Sequence, residues 1–137
     1  MRVLGRRAGA VEFAAKLLFQ YRVVRGGKSN RKRVCEERIV LLKGRDPLEA
    51  SRRARATGRG EEFRHQIDGG AVFFEFVGIL DLVELERARE TNEVWSRLHE
   101  RLLPFERRRQ LVPPERALTA VRQWRGAAKG RMKVPFS

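Results

Sequence analysis

The sequence predicts an α+β fold: an antiparallel sheet of about four strands in the order strand, strand, helix, strand, strand, with one or two further C-terminal helices. Three observations carry this expectation. Residues 72–85, Val-Phe-Phe-Glu-Phe-Val-Gly-Ile-Leu-Asp-Leu-Val-Glu-Leu, form the most apolar run of the chain. They are rich in the aromatic and β-branched residues that suit a pleated, half-buried surface. Residues 13–24 alternate, with Phe13, Ala15, Leu17, Phe19, Tyr21 and Val23 on one face and Lys16, Gln20 and Arg22 on the other. Between these runs, Asp46-Pro47-Leu48-Glu49 is a helix start: a capping aspartate, a proline suited to the first turn and a glutamate at the capping-box position.

Taken in order, residues 1–12 read as a basic N-terminal arm without periodicity. The first strand ends at Arg25-Gly26-Gly27, where glycines allow a turn. Residues 34–43 give a second strand, paired antiparallel with the first across a basic loop at 25–33. The helix runs from Asp46 to about Thr57 and ends at Gly58 and Gly60. Residues 62–67 form a short third strand, and Asp68-Gly69-Gly70 turns into the long strand 72–85. That long strand is expected at the centre of the sheet. Its period of two places Val72, Phe74, Phe76, Gly78, Leu80 and Leu82 on one face, and Gly78 suggests a bulge or bend. Leu85 to Asn92 is charged and linker-like. Val94, Trp95, Leu98 and Leu102 then recur at helical spacing up to Pro104, with a short edge strand at 92–95 as the alternative. Pro113-Pro114-Glu115 opens an amphipathic helix with Ala117, Ala120, Val121 and Trp124 on one stripe. The organisation is therefore an arm at 1–12, one domain at 13–103, a linker and helix at 104–125, and a basic tail at 126–137.

The chain has 137 residues, one domain's worth, and a net charge of +14. Residues 1–64 carry 18 basic and 7 acidic groups, residues 65–100 carry 3 and 8, and residues 101–137 carry 10 and 2. Basic ends flank an acidic centre. Such a pattern binds polyanions or is neutralised internally. A single cysteine excludes an internal disulfide framework and suits a reducing cytoplasm. No apolar run approaches the ~18 residues of a membrane span, so no membrane contact is expected.

Several segments resemble a bacterial family, domain of unknown function family 4288. They are Ala15-Lys16-Leu17-Leu18-Phe19, Cys35-Glu36-Glu37-Arg38-Ile39-Val40-Leu41, the helix around Asp46 to Ala54, Phe76 to Leu85, and Glu93-Val94-Trp95-Ser96-Arg97-Leu98. The resemblance covers roughly residues 13–98. It implies one compact domain in a bacterial cytoplasm. That family carries no established activity, so it transfers no catalytic residue.

No catalytic constellation, metal site or cofactor is expected. Cys35 and His65 are the conceivable thiol–imidazole pair, but a lone cysteine on a strand is usually a small buried hydrophobe. Glu36, Glu37, Glu75, Asp81 and Glu84 offer oxygen ligands, yet pairing with Lys16, Arg22 or Arg38 across the sheet suits them better. No glycine-rich phosphate loop is complete. Two function classes follow. The first is a non-enzymatic protein-binding or self-associating module, with Trp95 and Trp124 as candidate interface anchors. The alternative is a nucleic-acid-binding accessory protein. It would track phosphates with Arg25, Lys28, Arg31, Lys32 and Arg33 of the basic loop, Arg52, Arg53 and Arg55 of the helix, and Arg107, Arg108 and Arg109. The basic loop lacks interleaved aromatics for base stacking, which favours the first class.

Overall fold

The alternation of residues 13–23 builds the middle of the sheet. In the structure, a computed structural model that describes residues 11–85 and 95–133, strand β1 spans Val11–Arg25. Side chains at 95–98 and 128–133 are outside the description. Next come β2 (Lys28–Ser29), β3 (Lys32–Gly44), helix α1 (Pro47–Gly60), β4 (Phe63–Ile67) and β5 (Gly70–Leu85). Then follow β6 (Trp95–Leu102), the single-turn α2 (Arg108–Leu111), a 3-10 turn at Glu115–Ala117, and α3 (Thr119–Lys133). All pairings are antiparallel, in the order β4-β5-β1-β3-β6, with β2 folded back on β1.

The expected fold is corrected here. The sheet has six strands rather than four, and its order is not strand, strand, helix, strand, strand. One addition is small. Gly26 and Gly27 both take positive φ (56° and 78°), so the chain turns within two residues and Lys28–Ser29 pairs straight back onto Val24 and Arg25. The other is large. Residues 95–102 are a strand, not a helix, and pair with Lys32–Ile39 of β3. The apolar positions there fit a helix locally. The open edge of β3, with its row of unmet backbone donors and acceptors, selects the extended form instead.

The centre of the sheet is β1, not the long apolar strand. β5 lies beside it, and two irregularities in register break its period of two. Lys16 faces Asp81 while Leu17 faces Ile79, and Leu18 faces Gly78 while Phe19 faces Phe76. Leu80 and Val77 are thus extra residues on β5. They flank Gly78 and move Ile79 onto the face of Phe74, Phe76 and Leu82, and Leu80 onto the other.

Both long helices dock on that first face. Their small residues allow close approach: Ala50 and Ala54 of α1, and Ala120 and Val121 of α3, pack with Phe13, Leu17, Phe19, Phe74 and Phe76. Asp46 caps α1, its carboxylate accepting the Glu49 backbone N–H at 2.9 Å, with Pro47 in the first turn. The helix does not stop at Thr57. It runs through Gly58 to Gly60, because Gly58 is there for packing: a Cβ at that position would press into the Phe76 ring. Likewise Pro113-Pro114-Glu115 opens only the 3-10 turn, and α3 starts at Thr119, where Asp81 accepts both its N–H and its hydroxyl at 2.8 Å. The helical backbone continues past Gly126 to Lys133, where a tail was expected. Of the arm expected at 1–12, Val11 and Glu12 belong to β1, and residues 1–10, the charged linker after Leu85, and residues 134–137 lie outside the described residues. No described helix is long and apolar enough to cross a membrane.

Candidate functional site

Beyond β6 the chain must return across the second face of the sheet. Leu103 takes φ 44°, and its N–H bonds the Arg31 carbonyl at 2.6 Å. This redirects the chain so that the Phe105 N–H meets Gln20 Oε1 at 3.1 Å and Glu106 meets Arg33. Val112 then seats on Gly78, where any Cβ would sit 2.7 Å from its methyl. From Val112 the chain passes round the outer side of β5 to bury Leu118 on the first face.

That path encloses a cleft along the outer edge of β5. β4 pairs with β5 only through Gly70–Phe74, its last pair being Phe63 with Phe74. Among the described residues no strand continues this pairing over residues 75–85. At one end of the gap the Glu62 carboxylate accepts the Phe76 N–H at 2.9 Å. At the other, Thr119 ties to Asp81. Four residues between, Val77–Leu80, span about 13 Å at ~3.3 Å per residue with no partner strand among the described residues, and Val77, Gly78 and Ile79 are buried at the bottom of the recess. The cleft has a volume of about 470 Å³. Phe76, Val77, Gly78 and Ile79 form its floor, Arg55, Arg59 and Leu118 one wall, and Phe105, Arg108, Val112 and Pro113 the other.

The charges in the cleft are not equivalent. Glu115 accepts from Ser51 Oγ at 2.7 Å and from Arg55 at 3.2 Å. The Ser51 hydrogen bond, with Arg55 beside it, holds that carboxyl below its usual range. Arg55 is thereby committed internally. Arg108 lies over the Phe105 ring, 4.1 Å from its centroid, and bonds the Phe105 carbonyl at 2.8 Å. It has no acidic partner among the described residues, and neither has Arg59 at the end of α1. The recess thus offers two uncommitted guanidinium groups, a strand edge and apolar walls.

The sequence-predicted residues distribute differently. Arg25, Lys28 and Arg31 are exposed at the β1–β3 tip, as is Lys32, which lies 3.9 Å from Glu100. Arg33 does not join them. It is 1% exposed, donates to both oxygens of Glu106 at 2.8 and 3.0 Å, and reaches Gln20 Oε1 at 3.1 Å. Its side chain is a strut under the returning loop. Arg52 and Arg53 are exposed on α1, Arg53 bonding the Lys43 carbonyl at 2.9 Å. Arg107 bonds the Leu102 carbonyl at 3.1 Å beside the tip, and Arg109 is exposed. The loop, helix and C-terminal arginines therefore do not form one track. The tip and Arg107 share one end of the sheet, while Arg55 and Arg108 face each other across the cleft. Trp124 is 41% exposed on α3, while the side chain of Trp95 lies outside the described residues.

Three of the five acids expected to pair with basic groups, Glu36, Glu37 and Glu75, do so, whereas Asp81 is taken by Thr119 and no ion pair is seen for Glu84 among the described residues. Arg22 grips Glu75 with two hydrogen bonds of 2.9 and 2.8 Å, and Gln20 adds a third. These bonds, Arg22 first, hold the Glu75 carboxyl below its ordinary range. Arg38 meets Glu36 and Glu61 and lies over Phe19. Lys16 meets Glu37 at 3.7 Å. Among the described residues no group of three His, Cys, Asp or Glu could hold a metal. Cys35 and His65 are not neighbours, because β1 and β5 separate their strands, about 14 Å at ~4.8 Å per strand. The imidazole opposite Cys35 is His99 of β6, a neighbour missed while residues 95–102 read as helix. Cys35 is still no nucleophile. It is fully buried, its thiol faces the Arg33 carbonyl at 3.8 Å, and burial pushes its pKa up to about 11.

The cleft itself left little trace in sequence. Gly78 hinted at a bulge, but the walls come from residues 55–59 and 105–118, far apart in the chain and joined only by the fold. No protein-family model, no curated protein and no solved structure matches this chain.

Proposed function

We propose that the chain is a non-enzymatic protein-interaction module that takes an extended segment of a partner protein onto the free edge of β5. One observation supports this most. A strand edge presents backbone donors and acceptors that a partner strand satisfies, and here an edge that no described strand pairs lies at the floor of a walled cleft. Apolar side chains on both walls give alternate residues of an added strand somewhere to pack. The lone buried cysteine fits a reducing cytoplasm.

The alternative, a nucleic-acid accessory protein, rests on the exposed tip of Arg25, Lys28, Arg31 and Lys32. With Arg33 buried, that surface is one cation smaller than the sequence suggested. The readings separate in one experiment. A random dodecapeptide display library is panned on the full chain, and enriched peptides are titrated beside a 20-base-pair duplex DNA at about 150 mM salt. The interaction module predicts saturable peptide binding that Phe105→Ala weakens by about tenfold, since one cleft wall is lost. It predicts DNA binding no tighter than the ~0.1 mM to 1 µM of unspecific phosphate contacts. Submicromolar duplex binding, lost when the four tip cations become alanine, would reverse the assignment.

A further inference from the structure

We infer that the segment received by the β5 cleft is acidic, and that Arg59 and Arg108 select it. This inference rests on the interaction-module reading and sharpens it to a partner chemistry. A bare strand edge alone is indifferent to sequence, because it bonds only backbone. Selectivity must come from side chains flanking the edge. Among those lining the cleft, Glu115 is paired with Arg55 and accepts from Ser51, and Glu62 accepts the Phe76 N–H at one end. Arg59 and Arg108 thus outnumber the one carboxylate there without a cation partner among the described residues. Arg59 and Arg108 stand on opposite walls without an acidic partner among the described residues.

Their placement makes the cleft complementary to a strand with acidic side chains. Residues of an added strand alternate between two faces, so acids on either face meet an arginine: one face looks toward the end of α1, the other toward α2. Arg108 is held against the Phe105 ring and by the Phe105 carbonyl, so its guanidinium is positioned before a ligand arrives. Less side-chain freedom is then lost on binding. The same geometry disfavours a nucleic-acid duplex. Its phosphates recur every ~1.7 Å along a thick rod, which needs an open basic ridge rather than a walled recess. The molecule's charge of +14 adds long-range steering of an acidic partner.

The test compares two fluorescein-labelled octapeptides of alternating valine and glutamate, or valine and glutamine, by anisotropy with the full chain at about 50 mM and 150 mM salt. The glutamate peptide is expected to bind at least tenfold tighter at the lower salt, with a smaller margin at the higher. Arg59→Gln with Arg108→Gln should remove that preference and leave the melting temperature within a degree or two, because both side chains are exposed. A control pair, Arg25→Gln with Arg52→Gln, removes the same charge outside the cleft and should keep the preference. If both peptides bind equally well, the acidic inference fails while the interaction module stands. If neither raises amide protection at Val77–Leu80, the inference fails together with the docking site. Equal loss of preference in the control pair would make the effect one of net charge and overturn the roles of Arg59 and Arg108. Competition by millimolar free glutamate or inorganic phosphate, as effective as the peptide, would reassign the cleft to a small anion.

Discussion

Arg33 and Cys35 sit two residues apart, on the same side of β3, and both were open to functional readings that burial removes. Arg33 is almost wholly buried, yet its carboxylate partner Glu106 is half exposed, so removing the arginine strips the returning loop of two charge-assisted hydrogen bonds, and Gln20 of β1 of a third, without stranding a buried acid. Arg33→Ala should therefore cost about 2–3 kcal/mol in urea unfolding, in the range for hydrogen bonds to charged groups. It should also loosen the wall of the cleft. A cost below about 0.5 kcal/mol would show that the strut is not one. Cys35→Ser should cost about 1–2 kcal/mol, because a hydroxyl replaces a buried thiol. The thiol also fixes a pH dependence. Its pKa is raised in the folded chain to about 11, above the unfolded value near 8.5–9. The folded state holds the proton more tightly, so the thiol's contribution is intact below about pH 8.5 and is lost as pH rises towards 11. Cys35→Ala should flatten the fall in stability across that window, measured by urea titration from pH 8 to 10.5. An unchanged slope would contradict the burial.

At the scale of elements, Gly58 sets two tendencies against each other. Alanine is preferred to glycine inside a helix by about 1 kcal/mol. At this position the added methyl would press into the Phe76 ring on the first face of the sheet. Overpacking of a core costs about 1–3 kcal/mol, so the clash should win and Gly58→Ala should destabilise. Combining it with Phe76→Leu should recover part of the loss, a coupling a double-mutant cycle in urea would register. Additive effects would mean that Gly58 and Phe76 are not coupled and that the close packing does not set the cost. The same comparison shows what was readable and what was not. Alternation in residues 13–23 and the Asp46 cap are local signals, and the structure holds them where the residues put them. Gly78 signalled a bulge locally, and the register shifts fall on either side of Gly78–Ile79, but their number and positions at Val77 and Leu80 were not local. There β5 pairs with β1 and packs against the returning chain at Val112, and no window of sequence contains both partners. Residues 95–102 misled for a related reason: their apolar spacing suits a helix, and only the waiting edge of β3 makes them a strand.

For the whole molecule, the surplus of positive charge is better described by where it is absorbed than by its sum. Arg22, Arg33, Arg38 and Arg55 each meet a glutamate, which ties the sheet to its loops and helices. Among the exposed remainder, one group sits at the tip and another lines the cleft, and these two places predict different partners. The cleft was beyond reach of the sequence because its walls come from α1 and from residues 105–118, brought together only when the chain wraps round β5. Its ownership of the function is testable at residue resolution. Amide hydrogen exchange of the full chain, with and without a saturating library-selected peptide, reads the β5 edge and the basic tip in one experiment. Docking on β5 predicts slowed exchange confined to Val77–Leu80 and the adjoining walls, with residues 25–32 unchanged. Slowed exchange at 25–32 with Val77–Leu80 unaltered would contradict it and move the binding surface to the tip.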